Sequence, residues 1–147
     1  MDEKQINLKT FNKKNKFIGC GTYGKVILVQ KGDKLYAAKI LSFDLKRMEG
    51  GEKNFKRELH CHKTLENPAI IKFIGYSLTD FDGSEFPVFI TKYMENGCLQ
   101  NLLNRVREGN APEEWNNTTK IIIILGISLG MKYLHDNDII HRDLKPS

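Results

Sequence analysis

Gly19-Cys20-Gly21-Thr22-Tyr23-Gly24-Lys25-Val26-Ile27-Leu28-Val29-Gln30 carries the first decision about the fold. In dinucleotide-binding folds a glycine triplet at this spacing follows a strand and opens a helix. Here the residues after Gly24 are β-branched and run into Gly32-Asp33, a pair that suits a tight hairpin turn. The segment reads as strand, glycine loop and strand, with Leu35-Tyr36-Ala37-Ala38 as the returning strand. In such a flap the missing Cβ atoms let backbone N–H groups approach phosphate oxygens. Read alone, the same glycines suit an ordinary turn equally well.

Working outward, Lys16-Phe17-Ile18 leads into the flap, and residues 1–10 read as a loosely held polar leader. From Gly51 the period becomes helical, with Phe55, Leu59 and His62 at i, i+4 and i+7, until Asn67-Pro68 stops it. Ile70 to Ile74 and Pro87 to Ile90 read as two more strands, joined by a polar loop from Thr79 to Glu85. Leu99, Leu102, Leu103 and Val106 have the spacing of a short amphipathic helix. After a break at Gly109 to Pro112, a long helix runs from about Trp115 to His135. The order implies an α+β chain that begins with a small antiparallel sheet.

Composition narrows the classes. The 147 residues are 40% hydrophobic with four prolines, which favours a folded core over disorder. A net charge of +5 on a chain that is 28% charged, with no clustered arginines beside stacking aromatics, argues against a nucleic-acid binder. Cys20, Cys61 and Cys98 are odd in number and lack CxxC spacing, so they read as reduced thiols. The charged start Met1-Asp2-Glu3-Lys4 is no signal peptide, and the apolar run Ile121 to Met131 is about half the ~20 residues of a bilayer span. A cytoplasmic location is the expectation. The glycosylation-type sequons in Asn116-Asn117-Thr118-Thr119 then read as polar loop.

Three further features bear on chemistry. Lys39 follows the apolar Tyr36-Ala37-Ala38, so its ammonium projects from a covered strand and needs a counter-charge. Glu58 on the first helix is the natural candidate, against the plain alternative of a solvated surface pair. His141-Arg142-Asp143-Leu144-Lys145-Pro146, after Ile139-Ile140, sets a carboxylate among cations in a loop. Such an Asp orients a hydroxyl nucleophile while Lys145 neutralises a transferring phosphate, unless the loop is merely a capped polar one. His60-Cys61-His62 is no metal site, because consecutive helical residues point to different faces.

Taken together, Gly19-x-Gly21-x-x-Gly24-x-Val26, Ala37-Ala38-Lys39, Glu58 and His141-Arg142-Asp143-Leu144-Lys145-Pro146 resemble the eukaryotic protein kinases in order and spacing. Phe73-Ile74-Gly75, Lys92 to Leu99 and Gly130-Met131-Lys132-Tyr133-Leu134-His135 are similar to the family's fourth strand, hinge and pre-loop helix, in wording most like the tyrosine-kinase-like branch. The resemblance covers about residues 11–147 and implies a small lobe at 11–92, a hinge at 93–97 and the start of a large lobe at 98–147. It implies a serine/threonine kinase that uses ATP and Mg²⁺ and acts on a protein substrate. Ile18, Gly19, Cys20, Gly21, Thr22, Tyr23, Gly24, Lys25 and Val26 would cover ATP, with Ala37 beside it. Lys39 would hold the α and β phosphates, Glu58 would hold Lys39, and Thr91 would be the gatekeeper. Lys92, Tyr93 and Met94 would offer hinge backbone to adenine, Asp143 would be the base, and Lys145 the serine/threonine-type loop cation.

The departures carry expectations too. His62 stands where the family packs an aliphatic side chain, and its ring nitrogens need partners. Cys20 on the flap and Cys98 beside the hinge are both expected near the nucleotide. The family's two metal ligands would lie past Ser147, so residues 1–147 alone are expected not to turn over, and no metal ligand is assigned within them. The rival reading is a non-catalytic nucleotide-binding or interaction module. Ile122, Leu125, Leu129 and Leu134 on the long helix are residues that the rest of a large lobe would cover.

Overall fold

The computed structural model describes residues 2–21, 24–42 and 50–146. It divides into two units: residues 1–66 with 71–93, and residues 67–70 with 94–147.

The first unit is a five-stranded antiparallel sheet with one helix. Its strands are β1 (Asn12–Gly21), β2 (Gly24–Lys31), β3 (Lys34–Leu41), β4 (Phe73–Ser77) and β5 (Val88–Lys92), in the order β1-β2-β3-β5-β4. Helix α1 (Gly51–Thr64) connects β3 to β4. Gly32 turns the β2–β3 hairpin at φ +56°, the left-handed region that glycine enters without a Cβ penalty. β4 begins at Phe73 rather than at Ile70, because Asn67 folds the preceding residues into a turn. Its Oδ1 accepts from Ala69 N–H and its carbonyl from Ile70 N–H, both at 2.9 Å.

Register gives the sheet two different faces. Lys25, Ile40 and Val88 lie in one row, as do Ile27, Ala38 and Ile90; Val26, Lys39 and Phe89 fall between them, on the opposite face. The first face carries the core of Val29, Ala38, Ile40, Val88 and Ile90, closed by Leu8 and Phe11. The second carries Leu41, Phe73, Tyr76 and Phe89 against Phe55 of α1, with Phe55 stacked on Phe89 at 5.2 Å.

Leu8 and Phe11 belong to, or border, the segment read as a loosely held leader. The structure gives that segment a definite seat. Residues 4–6 lie parallel to β4 on its open edge, a short 3-10 turn follows at Leu8–Thr10, and Phe11 meets Tyr36 edge-on at 5.5 Å. Polar and charged residues make up most of it, yet Ile6 and Leu8, with Phe11 just beyond, pack on the outer face.

The second unit contains α2 (Leu99–Arg107) and α3 (Asn117–Asp136). Asn116, read from sequence as polar loop, caps α3: its Oδ1 accepts from Thr119 N–H at 3.0 Å. Leu134 is buried and Gly130 lies close to Ala69, whereas Ile122, Leu125 and Leu129 are more than half exposed. Among the described residues no helix is long and apolar enough to cross a membrane.

Gly75 is where the leader approaches β4 most closely. A Cβ there would lie 2.6 Å from both the Lys4 carbonyl oxygen and Ile6 Cγ2. Gly75→Ala is expected to destabilise the chain by about 1–3 kcal/mol, the usual cost of overpacking, read by urea unfolding. Combined with removal of residues 2–6, the same substitution is expected to cost almost nothing further.

Candidate active site

Lys39 and Glu58 meet. β3 delivers Lys39 in the row of Val26 and Phe89, and the packing of Phe55 against Phe89 sets α1 so that Glu58, three residues on, faces the same strand. Lys39 Nζ donates to Glu58 Oε1 at 2.5 Å, and each side chain is 35% exposed. Burial pushes the Glu58 carboxyl up and is the largest single influence. The neighbouring His62 and Lys39 together outweigh it, and the carboxyl titrates below its ordinary 4.5.

His62 follows Glu58 by one helical turn, with Nε2 3.8 Å from Oε1. Its ring stacks on Phe73 at 4.9 Å and tilts against Phe89 at 5.2 Å. The imidazole fills an aromatic slot with its flat face and turns an edge toward the carboxylate. The ring is about a quarter exposed, and Nε2 lies within ion-pair range of that carboxylate.

Val26, Ala37, Lys39 and Thr91 share one face through the β2–β3–β5 register. Ile18, Gly19, Cys20 and Gly21 end β1, where Cys20 pairs with Lys25 and Gly21 with Gly24. Gly24 has φ +149°, and a Cβ there would press into the Ile40 carbonyl, so this position needs glycine. Thr22 and Tyr23 lie outside the described residues.

Cys20 turns away from Lys39. It lies with Lys25, Ile40, Asp80 and Phe86 along a groove of about 370 Å³, and Lys25 and Ile40 belong to the outer face of the sheet. Cys20 lies at the flap end of β1, and strand alternation sends its side chain, like that of Lys25, outward. Lys92 likewise pairs with Tyr36 on the outer face, while its N–H donates to Lys72 O at 2.9 Å.

Tyr93 closes the first unit and holds a contact invisible in the sequence. Lys16 Nζ donates to its hydroxyl at 2.8 Å and lies 5.3 Å from its ring centroid. No local pattern links two residues 77 positions apart.

In the second unit, Gly97 N–H donates to Met94 O at 3.2 Å, turning the chain toward α2. Asp143 and Lys145 form an exposed pair, Nζ to Oδ2 2.9 Å. Asp143 N–H also donates to His141 Nδ1 at 3.3 Å. Arg142 between them has φ +62°, a strained conformation for a non-glycine residue that turns the loop sharply. Among the described residues no group of three or more His, Cys, Asp or Glu side chains is placed to hold a metal ion.

The protein kinase domain family model matches residues 12–147. The chain belongs to the protein kinase family. The sheet and α1 are the small lobe of the kinase fold, and the following helices open its large lobe. The chain is 32% identical to the receptor-like kinase LIP1 of Arabidopsis thaliana, over 99% of this chain and 24% of that protein. It is 32% identical to the serine/threonine-protein kinase stk11 homolog of Dictyostelium discoideum, over 88% of this chain and 22% of that protein. The probable serine/threonine-protein kinase PBL5 of Arabidopsis thaliana is 31% identical over 89% of this chain and 30% of its own length. The chain thus spans about a quarter of the length of these relatives.

The lowered carboxyl of Glu58 fixes the sign of a pH effect. Its pair with Lys39 contributes fully above the ordinary 4.5 and is lost as pH falls through the lower folded value. The stability gap between the parent chain and Glu58→Gln is expected to be about 1 kcal/mol at pH 7 and to close as pH falls through the lowered folded value, read by urea unfolding at each pH.

Proposed function

We propose that the chain supplies the nucleotide-binding and catalytic-loop residues of an ATP-dependent serine/threonine protein kinase. The observation that carries this reading is the Lys39–Glu58 pair, set on the same sheet face as Val26, Ala37 and Thr91. A surface pair would need no such setting. A half-covered ammonium held by one carboxylate keeps donors free for phosphate oxygens.

In this reading residues 11–92 form the small lobe, 93–97 the hinge and 98–147 the start of the large lobe. The backbone of the glycine strands, at Ile18 to Gly21 and Gly24 to Val26, covers the phosphates, and Lys39 holds the α and β groups. Residues Lys92 to Met94 offer main-chain groups to adenine. The γ-phosphorus bonds to the oxygen of a protein Ser or Thr as its bond to the ADP oxygen breaks. The hydroxyl proton passes to the Asp143 carboxylate, and ADP leaves. Lys145 brings positive charge to the same turn of the loop. Mg²⁺, when bound, would neutralise phosphate charge.

In the protein carrying this chain, incubation with Mg-ATP and a generic protein acceptor is expected to yield phosphoserine and phosphothreonine. Asp143→Asn is expected to slow that transfer by about 10²–10⁴-fold, the usual worth of a positioned base. Phosphotyrosine as the main product, or an undiminished rate in Asp143→Asn, would count against the reading.

A further inference from the structure

We infer that residues 2–6 are a clamp that positions α1, and with it Glu58 against Lys39. The leader's backbone bridges the free edge of β4 in parallel at Gln5 and Tyr76: Tyr76 N–H donates to Lys4 O, and Ile6 N–H donates to Tyr76 O, both at 2.9 Å. Gly75 leaves room for that approach, since a side chain there would collide with Lys4 and Ile6.

The leader ends on a carboxylate with three donors. Asp2 Oδ2 accepts from the Lys63 ammonium and, at 2.9 Å, from the Tyr76 hydroxyl, while Oδ1 accepts from Lys4 N–H at 3.1 Å. A lone surface ion pair contributes little. This one joins the leader, β4 and the last turn of α1, and Lys63 also lies over the Tyr76 ring at 5.4 Å. Tyr76 is the pivot: its hydroxyl binds the leader, and its ring meets Phe55 of α1 edge-on at 5.8 Å.

Lys63 is five residues beyond Glu58, about 7.5 Å along the axis at 1.5 Å per residue. At the other end of α1, Gly50 offers no side-chain cap. A shift of the last turn therefore carries Glu58 with it. Asp2, Lys63 and Tyr76 are positioning residues and touch neither Lys39 nor Glu58. The consequence for nucleotide rests on the function proposed above; the clamp itself does not.

The test uses the full chain. Asp2→Asn and Lys63→Met are each expected to speed amide exchange across residues 55–64 by about three- to tenfold, with the β2–β3 hairpin unchanged. Acylation of Lys39 by an amine-reactive ester, measured against Lys34, is expected to rise about two- to fivefold as its carboxylate is drawn away. The exchanged pair Asp2→Lys with Lys63→Asp is expected to restore both. Exchange and acylation equal to the parent in both single variants would overturn the clamp. So would faster exchange spread evenly over the β2–β3 hairpin, the mark of general loosening. Affinity for an ATP analogue is expected to fall in the same variants. A parent chain that takes up no nucleotide would overturn the proposed function and leave the two clamp readouts to decide the clamp.

Discussion

An ammonium on a strand whose two neighbours in sequence are buried has few places to go. Ala38 and Ile40 flank Lys39 and belong to the outer core, so strand alternation commits Lys39 to the other face. Desolvation there makes an unpaired charge costly, and α1 supplies the answering carboxylate. Much of the small lobe follows from that demand. Phe55 and Phe89 stack to fix the helix at the right height, and His62 continues the aromatic contact one turn beyond Glu58. The ion pair thus depends on a core built to one side of it, and it gains direction more than bulk stability.

The outer face is built differently. It needs no helix, because the leader crosses it with Leu8 and Phe11 and pairs with β4 through residues 4–6. That arrangement also covers an edge strand whose unpaired groups would otherwise face water or another chain. A single segment therefore closes one core, finishes the sheet and reaches the helix of the opposite face through Asp2. The carboxyl of Asp2 is held down to about 2, first by the Lys63 ammonium and then by the N–H of Lys4 and the hydroxyl of Tyr76. It stays ionised throughout the range in which kinases work, so the contact is a constant feature rather than a proton switch.

The second unit shows the other side of the kinase plan. α3 is apolar on most of its circumference, with Leu134 buried and Ile121, Ile122 and Ile124 all exposed beyond 60%. A helix of that composition belongs inside a larger helical layer. The turn at His141 to Lys145 is nonetheless formed: Arg142 takes the left-handed conformation, and Asp143 meets Lys145 within it. Local sequence is enough for that geometry, since the partners are two residues apart.

The same distinction separates what the sequence determined from what folding had to decide. Period-two runs, a Gly32-Asp33 hairpin and a glycine-punctuated flap are local, because backbone sterics and alternation act over a few residues; the five strands and the helix from Gly51 were legible from them. The resemblance to the protein kinases pointed to Lys39, Glu58 and Asp143, and the fold brings the first two together. β4 was misplaced by three residues because a side-chain turn at Asn67 competes with an apolar run, and propensity does not weigh the two. The outward aim of Cys20 required the pairing register with Lys25. The leader's role was beyond sequence reading altogether: Asp2 finds Lys63 and Tyr76 more than sixty positions away, and Gly75 matters only because Ile6 comes to lie against it. Contacts between distant segments depend on the register and packing of everything between them, and no local pattern records that sum.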